Sequence, residues 1–237
     1  MQDFLLTSYD VNCSEATVYR ILQRHKWRRK VVTKHAYERS QTARDAFWLR
    51  ARTLHPEQIV CLDESASNER SGDRKRGWAP SGQPAIAHYS ARRSERWSIL
   101  PAMTINGYIA LEIYQGGFNR QRFNDFVQYQ VLPQCTRYPG PRSVILLDNA
   151  SIHYSIELTN MCIEAGVLLL YLPPYSPDYN PIEQTFKVLK DWLRRYNDLA
   201  SSFDDFEAFL LSAISQTCID RDFRGMFHRC LYMVDDY

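Results

Sequence analysis

Residues 143–150 read Ser143-Val144-Ile145-Leu146-Leu147-Asp148-Asn149-Ala150, a short apolar run that ends on a carboxylate. Four apolar residues in a row, flanked by polar ones, suit a strand buried on both faces. The same pattern stands upstream in Ile59-Val60-Cys61-Leu62-Asp63-Glu64-Ser65. A third acid, Glu183, closes the stretch Leu172-Pro173-Pro174-Tyr175-Ser176-Pro177-Asp178-Tyr179-Asn180-Pro181-Ile182-Glu183. There Asn180 is suited to cap a helix and Pro181 to fill its first position, so Glu183 falls in the first turn. Two strand ends and one helix start can bring acids that are distant in sequence to one place.

Around these anchors the pattern predicts helices at 14–26, 36–53, 119–134, 154–165, 181–196 and 203–217. Strands are expected at 58–63, 84–90, 96–105, 107–115, 143–148 and 167–172, with a tight turn at Asn106-Gly107. Early strands joined in succession, followed by strands alternating with helices, imply a mixed sheet covered by helices on both faces.

At 237 residues, with 45% hydrophobic content, the chain has material for one large α/β domain and a small appendage. No apolar run approaches the ~18 residues of a membrane span. The start, Met1 to Asp10, lacks the basic opening and long apolar stretch of a signal peptide, so no membrane partner and a place inside the cell are expected. The cysteines, Cys13, Cys61, Cys135, Cys162, Cys218 and Cys230, are scattered without a Cys-x-x-Cys pair, which argues against a zinc site and a disulfide framework.

Net charge is only +2, but its distribution is uneven. No acid falls between Glu15 and Glu38, while Arg20, Arg24, Lys26, Arg28, Arg29, Lys30 and Lys34 do. Ser14 can cap the helix over 14–26, and Val18, Ile21 and Leu22 give it an apolar stripe. Two readings stay open: a DNA recognition helix followed by a basic linker, or an amphipathic helix with a solvated charged face.

Asp63, Asp148 and Glu183 are the candidate catalytic and metal-binding residues. Two carboxylates about 4 Å apart repel by roughly 4 kcal/mol at an effective dielectric of 20, so a site built from three should take up a proton or move a side chain when no cation is bound. Rival acids fail on position. Glu64 should face away from Asp63 if the strand continues, and Asp178 lies in the loop before Asn180. A glycosidase-like pair of carboxylates would leave the third acid and the basic surface without a role.

Asp148-Asn149-Ala150-Ser151-Ile152-His153 and the run from Leu172 to Glu183 closely resemble the two C-terminal signature blocks of the mariner superfamily of cut-and-paste DNA transposases. The resemblance implies a ribonuclease H-like DDE catalytic domain over 36–237, an α/β fold with a mixed five-stranded sheet flanked by helices, preceded over 1–35 by a remnant helix of a helix-turn-helix and a basic linker. It implies metal-dependent phosphodiester hydrolysis and strand transfer on double-stranded DNA, at transposon ends and a TA-type target, by a nuclear homodimer. Two Mg²⁺ ions per site, replaceable by Mn²⁺, would be bridged by Asp63 and held one each by Asp148 and Glu183. Asn149, His153 and Asn180 would support these ligands.

The insertion from Ser65 to Gln83, with Arg70, Arg74, Lys75, Arg76 and Gly77-Trp78, is similar to the family's clamp toward DNA or a partner subunit. Arg92, Arg93 and Arg96 extend that basic surface. Members of the family carry two helix-turn-helix units, and here only the last helix or so of the second is read, so the chain is expected to be N-terminally truncated. The alternative is a catalytically idle, truncated or host-adopted derivative that acts as a DNA-binding protein.

Overall fold

The sheet is assembled around β3 (Trp97–Thr104), which pairs antiparallel with β4 (Gly107–Gln115) along one edge. Its other edge pairs with β1 (Ile59–Leu62) and then with β2 (Ser65–Ser67). The register is unbroken between these two: Leu62 faces Ala102 and Ser65 faces Ile99. β1 and β2 therefore lie on one line interrupted at Asp63-Glu64. On its far side β1 runs parallel to β5 (Val144–Leu147), which runs parallel to β6 (Leu168–Tyr171).

Among the described residues the sheet thus has six strands rather than five. β2, Ser-Ala-Ser, is too short and polar to register as a strand on its own. The computed structural model describes residues 2–30, 36–73, 77–86, 95–230 and 232. Of the strand expected at 84–90, residues 84–86 adopt no regular structure and the rest lie outside the described residues.

Between β3 and β4, Gly107 takes φ +110, and a side chain there would place its Cβ 2.9 Å from the Cys218 carbonyl oxygen. Turn geometry and close approach of backbone both require glycine at this point.

Alternation along the strands separates two cores. Ile59, Cys61, Ile99, Met103, Val144 and Leu146 pack in one cluster with Phe47 of α3 (Gln41–Ala51), Phe186 and Leu189 of α6 (Ile182–Arg195), and Phe209 and Ile214 of α7 (Phe206–Cys218). Val60, Leu62, Leu100, Ala102, Ile145 and Leu147 pack in the other, with Phe123 and Phe126 of α4 (Arg120–Phe126) and Leu158 of α5 (Ile156–Ala165). Each buried aliphatic or aromatic side chain contributes about 1.5–3 kcal/mol, so the clamping of the sheet between two apolar layers fixes where its strand ends point.

The helix expected over 119–134 changes character along its length. Asn119 caps α4, Val127–Val131 form a π-helical turn, and Leu132–Gln134 finish as 3₁₀, where Pro133 lacks an amide donor. α5 starts later than residue 154, because Ser155 is its cap and Ser151–His153 form a separate 3₁₀ turn. Gly166 in the left-handed region ends it. α6 starts at Ile182, and Asn180 does not cap it. A further short helix, α8 (Arg224–Arg229), seats Phe227 in the core.

Residues Tyr37–Tyr237 make up this unit, and Met1–Ala36 make up another. The smaller one holds α1 (Gln2–Tyr9) and α2 (Glu15–Arg24), the latter capped by Ser14. α2 is the helix expected over 14–26, and α1 is an addition to it. α1 carries Phe4, Leu5 and Leu6 in a row rather than at helical spacing, so periodicity does not announce it. Among the described residues no helix is long and apolar enough to cross a membrane, and all six cysteines are free thiols.

Candidate active site

Asp63 has the parity of Ile59 and Cys61, and Asp148 that of Val144 and Leu146, so both emerge on the sheet face that α6 covers. Glu183 enters from the first turn of α6. All three line one cleft of about 390 Å³, together with Asn149, Asn180 and the wall Pro173-Pro174-Tyr175-Ser176-Pro177.

Asp63 is the most enclosed of the three, at 9% exposure. Burial, then the charges of Glu183, Asp148 and Glu64, push its pKa up to about 8, against a backbone hydrogen bond from Glu64 that acts the other way. Near neutrality it holds a proton. Burial also raises Glu183, partly offset by Lys190. Asp148 is lowered: burial opposes its charge, but His153 and a 2.9 Å hydrogen bond from the Ala150 amide prevail. The acids thus divide the repulsion unequally, with the proton on Asp63 and the charge on Asp148.

Asp63 and Asp148 each have a polar neighbour that orients them. Asn180, 1% exposed, donates from Nδ2 to Asp63 Oδ2 at 3.2 Å. Its expected place as helix cap is traded for this contact. His153 is fully buried against the Phe123 ring, 4.4 Å between centroids. Its Nδ1 lies 2.7 Å from Asp148 Oδ1, an ion-pair contact whose angle is not that of a straight hydrogen bond. Its Nε2 lies 3.1 Å from Glu64 Oε1. Burial alone would lower its pKa, but the two carboxylates raise it to about 9, so the imidazolium stands between two anions.

Asn149, at the cleft wall, accepts a hydrogen bond from the Tyr154 hydroxyl, and the Tyr154 ring stacks on Tyr171 at 4.5 Å. Glu64 was set aside on the sequence because it faces away from Asp63. That face is where His153 sits, so the same alternation that removes Glu64 from the cleft delivers it to the imidazole. Only the pairing of residues far apart in sequence makes this visible. Asp178 is held outside the cleft by Arg39 and Arg44.

In the smaller unit Arg20, Arg24, Lys26, Arg28, Arg29 and Lys30 are all exposed. Lys26, Arg28 and Arg29 line a surface cleft with Tyr19, Gln23 and Trp27. Arg74, Lys75 and Arg76 lie outside the described residues, as do Lys34, Arg92 and Arg93.

The family model described as DDE superfamily endonuclease matches residues 58–207, the span that carries all three acids. The chain belongs to the DDE endonuclease superfamily. A winged helix-turn-helix model matches residues 1–48 of this DDE endonuclease. An uncharacterized protein of Sinorhizobium fredii, y4pE/y4sA, is 33% identical over 67 residues, which is 28% of this chain and 46% of that protein. The matched stretch spans about half the length of that curated relative.

Among solved structures, the Mos1 strand transfer complex superposes with a TM-score of 0.67 at 18% identity, covering 97% of this chain and 73% of that one. The Mos1 mariner paired end complex with Mn gives 0.67 at 17% identity, covering 99% and 79%. At such identities the likeness is one of fold, and it makes the six-stranded DDE domain ribonuclease H-like.

As they stand, no three His, Cys, Asp or Glu side chains among the described residues enclose a metal ion. The donor set nonetheless fits a hard divalent cation. Three oxygen-bearing acids share one cleft, and the most buried of them holds a proton that a cation would displace.

Proposed function

We propose that this DDE endonuclease is a mariner-type DNA transposase that cuts one strand at the end of a mobile DNA segment and joins the freed end to target DNA, typically at a TA step. In the first reaction water attacks the phosphorus, the bond to the 3′ oxygen breaks, and that oxygen leaves as a hydroxyl after taking up a proton. In the second the 3′-hydroxyl attacks a target phosphodiester, gives up its proton, and displaces the target's own 3′ oxygen. No covalent enzyme–DNA species is required.

The observation that carries this reading is the convergence of Asp63, Asp148 and Glu183 from β1, β5 and α6 on one cleft. These residues would hold Mg²⁺, two ions per site with Mn²⁺ as a substitute, and Asp63 would serve both. When bound, such ions stabilise the negative charge that develops on the attacking and leaving oxygens. The protein's own part is orientation: Asn180 sets Asp63, and His153 sets Asp148. The Mos1 paired end complex with Mn shares the fold, which supports divalent metal use here.

Double-stranded DNA is the proposed partner, with Arg20, Arg24, Lys26, Arg28, Arg29 and Lys30 neutralising phosphates. A homodimer is proposed because the Trp78 ring, within the basic insertion, stands entirely in solvent, as an aromatic anchor for a second copy would.

Nicking of supercoiled plasmid by the purified chain in Mg²⁺ or Mn²⁺, with Asp148→Ala in parallel, tests the reading, since relaxation needs no specific end sequence. Activity in the parent and none in the variant is the expected result. Equal silence from both, with DNA still bound, would leave a DNA-binding derivative instead.

A further inference from the structure

Asp178 is not a cleft residue, yet two arginines hold it: Arg39 reaches both carboxylate oxygens from one nitrogen, at 3.1 and 3.2 Å, and Arg44 grips them with two. Arg44 of α3 donates from Nη1 to Oδ1 at 3.0 Å and from Nη2 to Oδ2 at 2.7 Å, the two-pronged geometry that fixes both position and orientation. Arg44 itself is only 7% exposed, rare for an arginine. Its guanidinium lies 4.0 Å above the Tyr179 ring, which in turn stacks on Phe47 at 5.4 Å. From the opposite end of the chain the Tyr232 hydroxyl donates to the Tyr179 carbonyl oxygen at 3.2 Å.

What is gripped is a rigid object. Pro177–Tyr179 form a 3₁₀ turn closed by hydrogen bonds from the Tyr179 amide to Ser176 and from the Asn180 amide to Pro177. Pro181 follows, and α6 with Glu183 begins directly after it. Displacement of Asp178 therefore cannot be absorbed before Asn180, whose Nδ2 meets Asp63, while its buried Oδ1 has no partner. Because Asp178 is half exposed, the ion pair adds little to stability, and its value lies in placement.

From this geometry we infer that Arg44 is a positioning residue for the candidate active site: by gripping Asp178 it seats Asn180 against Asp63 and so sets how well the cleft binds a divalent cation. The inference rests on the metal-site reading given under Proposed function. Residues 134 positions apart in sequence are coupled through one loop, and the reacting atoms are never touched.

Two substitutions test it. Asp178→Asn keeps shape and removes the charge, while Arg44→Lys keeps charge and removes the fork. The first readout is the Asn180 side-chain amide resonance in an ¹⁵N–¹H spectrum of the full chain, assigned by its loss in Asn180→Ala. The second is Mn²⁺ affinity, read from the paramagnetic resonance signal of free Mn²⁺, with thermal melting as the measure of fold.

Both variants are expected to move the Asn180 resonance toward that of a free amide and to weaken Mn²⁺ binding about tenfold or more, as loss of a ligand's supporting contacts does. The melting temperature should stay within a few degrees. An unmoved resonance with unchanged Mn²⁺ affinity overturns the inference, even if melting falls, because Arg44 would then be merely structural. A moved resonance with unchanged affinity overturns it as well. If the parent's Mn²⁺ binding is absent or indifferent to Asp148→Ala, it is the metal-site reading that fails, and the resonance alone then decides whether Arg44 seats Asn180.

Discussion

His153 stands 2.7 Å from Asp148 on one ring nitrogen and 3.1 Å from Glu64 on the other, so a single buried imidazole ties the ends of two neighbouring parallel strands. Its removal should cost chemistry before it costs the fold. His153→Gln retains hydrogen-bonding capacity but cannot bridge two anions with charge. Plasmid nicking by this variant is expected to fall about 10–100-fold, the usual cost of losing a ligand's supporting partner. Undiminished nicking in a single-turnover assay would show that Asp148 needs no such support.

The metal-free protein should lose stability as pH rises. Unfolded, Asp63 releases its proton near 3.8; folded, it keeps it to about 8. The folded state therefore binds more protons across that interval, and stability falls through it. His153 acts in the same sense, since its raised folded pKa of about 9 gives stability that is complete below its ordinary 6.5 and lost on the way to 9. Asp148, lowered, gives stability that is present above 3.8 and lost as pH falls through its folded pKa. Melting temperatures in chelator should decline from pH 5 to pH 9, and Asp63→Asn should flatten the decline below pH 8. A parent that melts higher at pH 8 than at pH 5 would contradict the assignment of the proton to Asp63.

Metal uptake should release that proton. Calorimetric titration of Mn²⁺ at pH 7, in buffers of differing ionisation enthalpy, should show release of about one proton per site in the parent and less in Asp63→Asn. An apparent heat independent of buffer would mean that Asp63 is already ionised.

Gly107→Ala is expected to destabilise the larger unit by about 1–3 kcal/mol, through the unfavourable φ and the clash with the Cys218 carbonyl. Urea unfolding followed by circular dichroism measures this, and a neutral effect would show that the turn relaxes away from the α7 end.

The paired substitution Arg28→Ala/Arg29→Ala should weaken DNA binding at all sequences alike and reduce the slope of log affinity against log salt by about 2. Fluorescence anisotropy on a random duplex over a salt series provides the slope. A slope equal to the parent's would place the phosphate contacts elsewhere.

Much of this was readable from the chain because the physics was local. The apolar runs before Asp63 and Asp148 are strands because a strand at the centre of a sheet buries four consecutive apolar residues on both its faces, and Asn106-Gly107 turns since glycine tolerates the required φ. The capping residue Ser14 works through a bond only three residues long. What escaped was what depends on distant partners. β2 exists because β3 supplies its hydrogen bonds, α8 because the core accepts Phe227, and Arg44 gains meaning from an acid far down the chain. Glu64 is the instructive case, since its direction was legible and its partner was not.

The interruption at Asp63-Glu64 leaves the pairing register of β1 and β2 intact, and this makes the strand a ruler. Two consecutive acids serve opposite sides of the sheet, one the cleft and the other the imidazole beneath it. Slippage by one residue would exchange their posts, turning Asp63 toward the imidazole and Glu64 into the cleft. Side chains along this strand can therefore drift in kind far more freely than the strand can change in length.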